Sequence, residues 1–202
     1  MTKIKLCGMV RPCDIDYVNE ASPDYAGFVF AGTKRYISKE QAREYKARLN
    51  PSIKAVGVFV DEAPEKIIEY VNEHIIDVIQ LHGHEDEEYI KKLNAYTGCE
   101  IIKAVRVENA DSIKFADSLP ADYLLLDAYK KGVAGGTGLT FDWSLINKIS
   151  KPFFLAGGLK LDNIEKALSL KPFAVDISSG IETDGYKDKD KMMEIVRRIR
   201  YV

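Results

Sequence analysis

Apolar and β-branched residues gather in eight short runs, at residues 3–7, 25–30, 54–60, 77–81, 100–105, 122–127, 152–156 and 173–177. Each is bounded by turn or polar residues and reads as a buried strand. Their starts lie roughly 21 to 30 residues apart, about the length of one strand-plus-helix unit. The segments between them are amphipathic. Residues 38–49 open on Ser38 as a cap, with Glu40 two positions on, and residues 63–73 place Ile67, Ile68 and Val71 on one stripe. Residues 85–95 carry acids in the first turn and lysines later, as the helix dipole favours. Residues 161–170 and 188–199 are also helix-like, whereas 109–116 and 141–149 predict shorter, weaker helices.

Eight strand–helix units fit either a closed (β/α)8 barrel or an open, doubly wound sheet. The count of eight, the even spacing and the lack of Gly-x-Gly-x-x-Gly after the first run favour the barrel. At 202 residues the chain falls below the ~250 typical of that fold, so the expectation is a compact TIM barrel with short loops, one domain over residues 1–202.

Composition narrows the class. Apolar residues make up 46 %, enough for a sizeable core. Lys plus Arg number 29 against 31 for Asp plus Glu, and a net charge of −2 argues against a nucleic-acid binder that works by neutralising phosphates. No apolar run approaches the ~20 residues of a membrane span. The chain starts directly on a strand with no secretion signal, and Cys7, Cys13 and Cys99 form neither a disulfide framework nor a zinc pattern. The expected setting is a reducing cytoplasm.

In a barrel, chemistry sits at the C-terminal strand ends. The seventh run ends in Gly157 and Gly158, the eighth in Ser178, Ser179 and Gly180. Glycines admit a close backbone approach and serines add donors, so these loops read as a phosphate site or as two tight turns. Cys7 ends the first run and reads either as a small buried hydrophobe or as a reactive thiol. Alternation places Lys3, Lys5 and Cys7 on one face, so Lys5 points inward and needs a buried anion. Asp176, on the eighth run, is the candidate partner, and Lys5 is expected to favour the Cys7 thiolate. Arg35, in the loop after the second run, reads as solvated surface or as a fork for a substrate carboxylate. His82 and His84 lack an evident third metal ligand, so His82 is expected to support the mouth by a hydrogen bond. Asp127 ends the sixth run beside a loop holding Gly132, Gly135, Gly136 and Gly138, either as a cap or as an acid in a site.

Together these residues resemble the phosphoribosylanthranilate isomerases of tryptophan biosynthesis. The likeness runs over nearly the whole chain. It is carried by Lys5-Leu6-Cys7-Gly8, Val56-Gly57-Val58-Phe59-Val60, Ile79-Gln80-Leu81-His82-Gly83-His84-Glu85 and Leu125-Leu126-Asp127 with Gly135-Gly136-Thr137-Gly138 and Phe141-Asp142-Trp143. Leu155-Ala156-Gly157-Gly158-Leu159 with Asn163, and Asp176 through Glu182 with Gly185-Tyr186-Lys187-Asp188, complete the set. Ala128, Met9-Val10 and Gly32-Thr33-Lys34 depart from the family's usual residues. The resemblance implies conversion of N-(5-phosphoribosyl)anthranilate to 1-(2-carboxyphenylamino)-1-deoxyribulose 5-phosphate, an Amadori rearrangement needing no metal or organic cofactor. It implies Cys7 as general base and Asp127 as general acid. Arg35 would hold the anthranilate end, with His82 and Asp176 also on the substrate, and the loops of Gly157-Gly158 and Ser178-Ser179-Gly180 the phosphate. The partner implied is a phosphorylated aminosugar. The sequence leaves oligomeric state open. The rival readings are a related sugar-phosphate epimerase and a barrel that binds a sugar phosphate without turning it over.

Overall fold

The computed structural model describes residues 1–32, 34–128, 142–146 and 149–201. Eight parallel strands close into a barrel in chain order: β1 (Lys3–Cys7), β2 (Tyr25–Val29), β3 (Lys54–Phe59), β4 (Val78–Leu81), β5 (Glu100–Val107), β6 (Tyr123–Ala128), β7 (Phe153–Leu155) and β8 (Ala174–Ile177). Each expected run holds one of them. β7 is shorter than its run because Pro152 has no N–H to give the ladder and Gly157 turns the chain away at φ +84°. β5 is longer than expected, and its added residues include Arg106.

The helices are α1 (Pro12–Ala21), α2 (Lys39–Arg48), α3 (Pro64–Asn72), α4 (Glu87–Thr97), α5 (Ala110–Ser118), α6 (Ile164–Leu168) and α7 (Lys189–Arg200). α1 belongs to a connection for which the apolar pattern suggested no particular helix. Its start is nonetheless written locally: Pro12 occupies the first turn, and the Asp14 carboxylate accepts the Val10 and Arg11 backbone N–H groups, both at 2.9 Å. α6 is cut to five residues because Asn163 is used as a brace rather than as helix: its side chain accepts Lys160 N–H and donates to the Gly158 carbonyl, both at 2.9 Å. In the sixth connection the described part is a 3-10 turn, Trp143–Leu145, capped by Asp142. The glycines from Gly132 to Gly138, and Phe141, lie outside the described residues.

Two layers of core follow from the strand alternation. Ile4, Leu6, Phe28, Phe59, Ile79 and Leu155 point outward against the helices. Val56, Val78, Ile102, Leu125 and Phe154 point inward. At the N-terminal end, Tyr25 and Tyr123 each meet Phe154 edge-on, with ring centroids 5.5 and 5.6 Å apart, and Phe173 lies on Tyr123 at 4.7 Å. This aromatic plug closes one end of the barrel, so a ligand enters from the other.

The seam where β1 closes onto β8 carries an ion pair. Lys5 stands in register with Asp176, and its Nζ donates to Asp176 Oδ2 at 2.7 Å, with side-chain exposures of 0 % and 9 %. The expected partner is therefore the actual one. Burial alone pulls the Lys5 ammonium down, yet Asp176 and Cys7 hold it above its ordinary value. Removing only one member leaves a buried charge unpaired. Lys5→Ala is expected to cost about 3–5 kcal/mol in urea unfolding, and the double exchange Lys5→Met/Asp176→Leu much less. Equal losses in the two proteins would contradict the pairing.

Candidate active site

Cys7, Arg35, His82, Asp127, Gly157, Gly158, Asp176, Ser178 and Ser179 line one cavity at the C-terminal end of the barrel. They come from six different strand ends, and only closure of the ring brings them together. Gly180 stands just outside the lining. A Cβ there would meet the Leu159 carbonyl oxygen at 1.9 Å, so it is the bare backbone of Gly180 that lets the loops after β7 and β8 touch.

Cys7 is buried at the end of β1, directly above Lys5 on the same face. Burial pushes its thiol above the usual range, Lys5 pulls it back, Asp176 pushes it up and Lys187 lowers it. The expected pull from Lys5 is present, but desolvation outweighs it, because the thiol has no water with which to share a negative charge. The expectation that Lys5 makes Cys7 a ready thiolate is corrected to that extent.

Asp127 ends β6. Its Oδ1 accepts the Ala128 N–H at 2.9 Å, and Oδ2 lies 3.5 Å from His82 Nε2. His82 is in turn met by Gln80, whose Nε2 is 3.0 Å from His82 Nδ1. Gln80, His82 and Asp127 thus form a row of polar side chains along the cavity wall. Gln80 and Arg106 also line the cavity, beyond the residues the sequence assigned to the site. Their signals were there. Gln80 is a polar residue inside an apolar run, and Arg106 keeps the inward phase of Ile102 and Ala104 one step beyond the expected strand end. Arg106 is paired in register with Asp127, and its guanidinium makes no hydrogen bond or ion pair among the described residues.

The anion loops are built from backbone. Gly157 and Gly158 both have positive φ, and a Cβ on Gly157 would sit 2.6 Å from the Ala128 nitrogen and 3.0 Å from Asp127 Oδ1. Their N–H groups donate to no acceptor among the described residues. The Ser178 hydroxyl donates to the Cys7 carbonyl at 2.9 Å, tying β8 to the end of β1. Asp176 Oδ1 is buried with no partner among the described residues, although its sister oxygen holds Lys5. Arg35 is held by Glu182 in a two-point fork, Nε to Oε1 at 2.8 Å and Nη2 to Oε2 at 3.0 Å. Burial works against both charges, but each holds the other ionised: Arg35 above its ordinary value, and Glu182, which Lys187 also assists, below. His84 points away from His82, toward Asp61 Oδ2 at 3.0 Å, and no group of three or more His, Cys, Asp or Glu side chains among the described residues is arranged to hold a metal.

A closed parallel barrel with a thiol, a carboxylate and glycine loops converging at its open end defines a (β/α)8-barrel enzyme with its site at the strand C-termini. Comparison with known proteins narrows this. Residues 4–198 match the model of the N-(5'-phosphoribosyl)anthranilate (PRA) isomerase family, and the chain belongs to that family, whose members are isomerases of tryptophan biosynthesis. It is 46 % identical to the N-(5'-phosphoribosyl)anthranilate isomerase of Endomicrobium trichonymphae, over 99 % of each chain. Among solved structures it is similar to the phosphoribosyl anthranilate isomerase of Thermotoga maritima, with a TM-score of 0.88, 36 % identity and 100 % of each chain covered. A phosphoribosyl anthranilate isomerase solved in complex with reduced 1-(o-carboxyphenylamino)-1-deoxyribulose 5-phosphate superposes with a TM-score of 0.85 at 34 % identity, again over 100 % of each chain.

The upward shift of Cys7 is open to direct test. Its alkylation by iodoacetamide, followed peptide by peptide so that Cys13 and Cys99 are separated, is expected to titrate above the ~8.5 of a free thiol. A midpoint below that value would mean that Lys5 and Lys187 outweigh burial.

Proposed function

We propose that the cavity isomerises N-(5-phosphoribosyl)anthranilate to 1-(2-carboxyphenylamino)-1-deoxyribulose 5-phosphate, with Asp127 as general acid and Cys7 as general base. The roles follow the family pattern, and one observation supports them: Cys7 and Asp127, at the ends of β1 and β6 and three strands apart around the ring, face into one cavity. A relative of the same fold holds the reduced product, which supports the substrate class.

Asp127 gives its proton to the ribose ring oxygen. The amine lone pair opens the ring, and C1 becomes an iminium carbon. The proton on the neighbouring C2 is now acidic, and the Cys7 thiolate takes it. The enolamine so formed tautomerises, C1 gaining a proton as the C2 hydroxyl becomes the ketone. An unperturbed aspartate (~3.9) is ionised and an unperturbed cysteine (~8.5) mostly protonated at neutral pH, so the site must carry the acid protonated and the base charged. His82 Nε2 lies 3.5 Å from Asp127 Oδ2. The ammonium groups of Lys5 and Lys187 favour the thiolate against burial.

The remaining lining has matching tasks. The unengaged N–H groups of Gly157 and Gly158, with the Ser178-Ser179-Gly180 turn, suit the phosphate. Asp176 Oδ1 is a buried acceptor for a sugar hydroxyl, since an acceptor left without a donor costs about 1–3 kcal/mol. Arg35 suits the anthranilate carboxylate, and Val29, Val58 and Val60 offer the aromatic ring an apolar wall.

The test is loss of anthranilate fluorescence from the substrate with purified protein and no added metal. Cys7→Ala and Asp127→Asn are each expected to lower kcat by at least ~10²-fold while product still binds. Near-normal turnover in either would remove that residue from the mechanism. Arg35→Ala is expected to act on KM, and an unchanged KM would remove Arg35 from the carboxylate.

A further inference from the structure

The chain after β8 folds into a small antiparallel hairpin, β9 (Glu182–Thr183) and β10 (Tyr186–Lys187), in which Glu182 and Lys187 stand opposite each other. Lys187 Nζ donates to Glu182 Oε1 at 2.8 Å and to the Ser178 carbonyl at 2.9 Å. Glu182 in turn grips Arg35 at two points. One continuous polar chain therefore runs from Ser178 through Lys187 and Glu182 to an arginine contributed by the far loop after β2. It is nearly dry: Lys187 is 2 % exposed and Glu182 8 %. Arg35 is also fitted from below, because a Cβ on Gly8 would lie 2.4 Å from its Cδ.

The charges in this cluster explain why it has three members. Arg35 and Glu182 alone would be neutral and would offer little to an incoming anion. Lys187 adds one positive charge, so the cluster as a whole stays cationic while the carboxylate fixes where the guanidinium points. The arrangement has a cost, since burial pulls the Lys187 ammonium below its ordinary value against the hold of Glu182. A free arginine side chain samples many rotamers, and a fork fixed in advance loses less of that freedom on meeting a ligand.

We propose that Glu182, held by Lys187, is a positioning residue that sets the preference for an aminosugar whose aromatic amine bears a carboxylate. It does so by fixing Arg35 at a set distance from the Ser178 segment, so that carboxylate and phosphate are measured against each other. The proposal rests on Arg35 as the carboxylate contact.

The experiment compares two ligands on the whole protein: reduced 1-(2-carboxyphenylamino)-1-deoxyribulose 5-phosphate and its phenylamino counterpart without the carboxylate. The ratio of their Kd values reads carboxylate recognition alone and is insensitive to general loosening of the site. Glu182→Gln is expected to shrink that ratio about tenfold, through weaker binding of the carboxylated ligand. An undiminished ratio overturns the proposal. So does a ratio that rises in Glu182→Gln and falls only in Lys187→Met, because net charge rather than aim would then be responsible. If Glu182→Gln fails to fold with Lys187 unpaired, the double exchange Glu182→Gln/Lys187→Met, which removes the buried ammonium together with the carboxylate, takes its place with the same expectation. Arg35→Ala is measured alongside. A collapsed ratio there with an intact one in Glu182→Gln sinks only the positioning role, whereas an intact ratio in Arg35→Ala sinks the Arg35 reading itself.

Discussion

The ion pair between Lys5 and Asp176 is where closure of the barrel and its chemistry meet. A parallel barrel must dock its first strand on its last, and a one-residue slip there would turn every side chain of β1 to the other face. Lys5 and Asp176 are in register and 2.7 Å apart, and both are inside. Two buried charges contribute little net stability, because desolvation offsets most of their attraction. What they specify is position. Directly above them lies Cys7, whose proton is governed by burial, by Lys5 and by Asp176 together. A hydrophobic pair at the seam would close the ring equally well and leave the thiol without a cation beneath it.

Strands and loops divide the remaining work. Cys7, Asp127 and Asp176 stand on strands, where the hydrogen-bond ladder fixes the backbone, which suits the proton transfer and hydroxyl binding we propose for them. In the proposed site recognition falls to loops, and three loops at the mouth are braced by polar side chains. Asn163 ties the turn after β7. Glu85 accepts the Gly83 N–H and the Lys103 ammonium, at 2.9 and 2.7 Å, and so holds the segment that carries His82. Lys187 ties the turn after β8 to Glu182 and, through it, to Arg35. Glu85 and Lys187 are buried, where hydrogen bonds are strongest and unpaired groups most costly.

Much of this was legible in the chain. Period-two runs at even spacing placed all eight strands, since a strand's pattern is written in consecutive residues and the core needs one side of each. Alternation also put Lys5 inside, and its need for an anion led to Asp176. Boundaries were less legible. Pro152 removed a residue from β7, and β5 ran on to Val107, so Arg106 was overlooked although its inward phase is visible. Helix α1 was missed because its signal is a cap, at Pro12 and Asp14, rather than a long apolar stripe.

What the sequence determined by itself was therefore the count and phase of the strands, which side chains face inward, and the set of residues able to do chemistry at strand ends. These depend on neighbours along the chain. Only the tertiary structure decided which of those residues share a cavity, that burial outweighs Lys5 at Cys7, that His82 stands between Gln80 and Asp127, and that Glu182 and Lys187 hold Arg35. Each of these depends on distances between strands or loops far apart in sequence, and on how much water the closed barrel leaves around a charge. The periodicity of a single chain records neither.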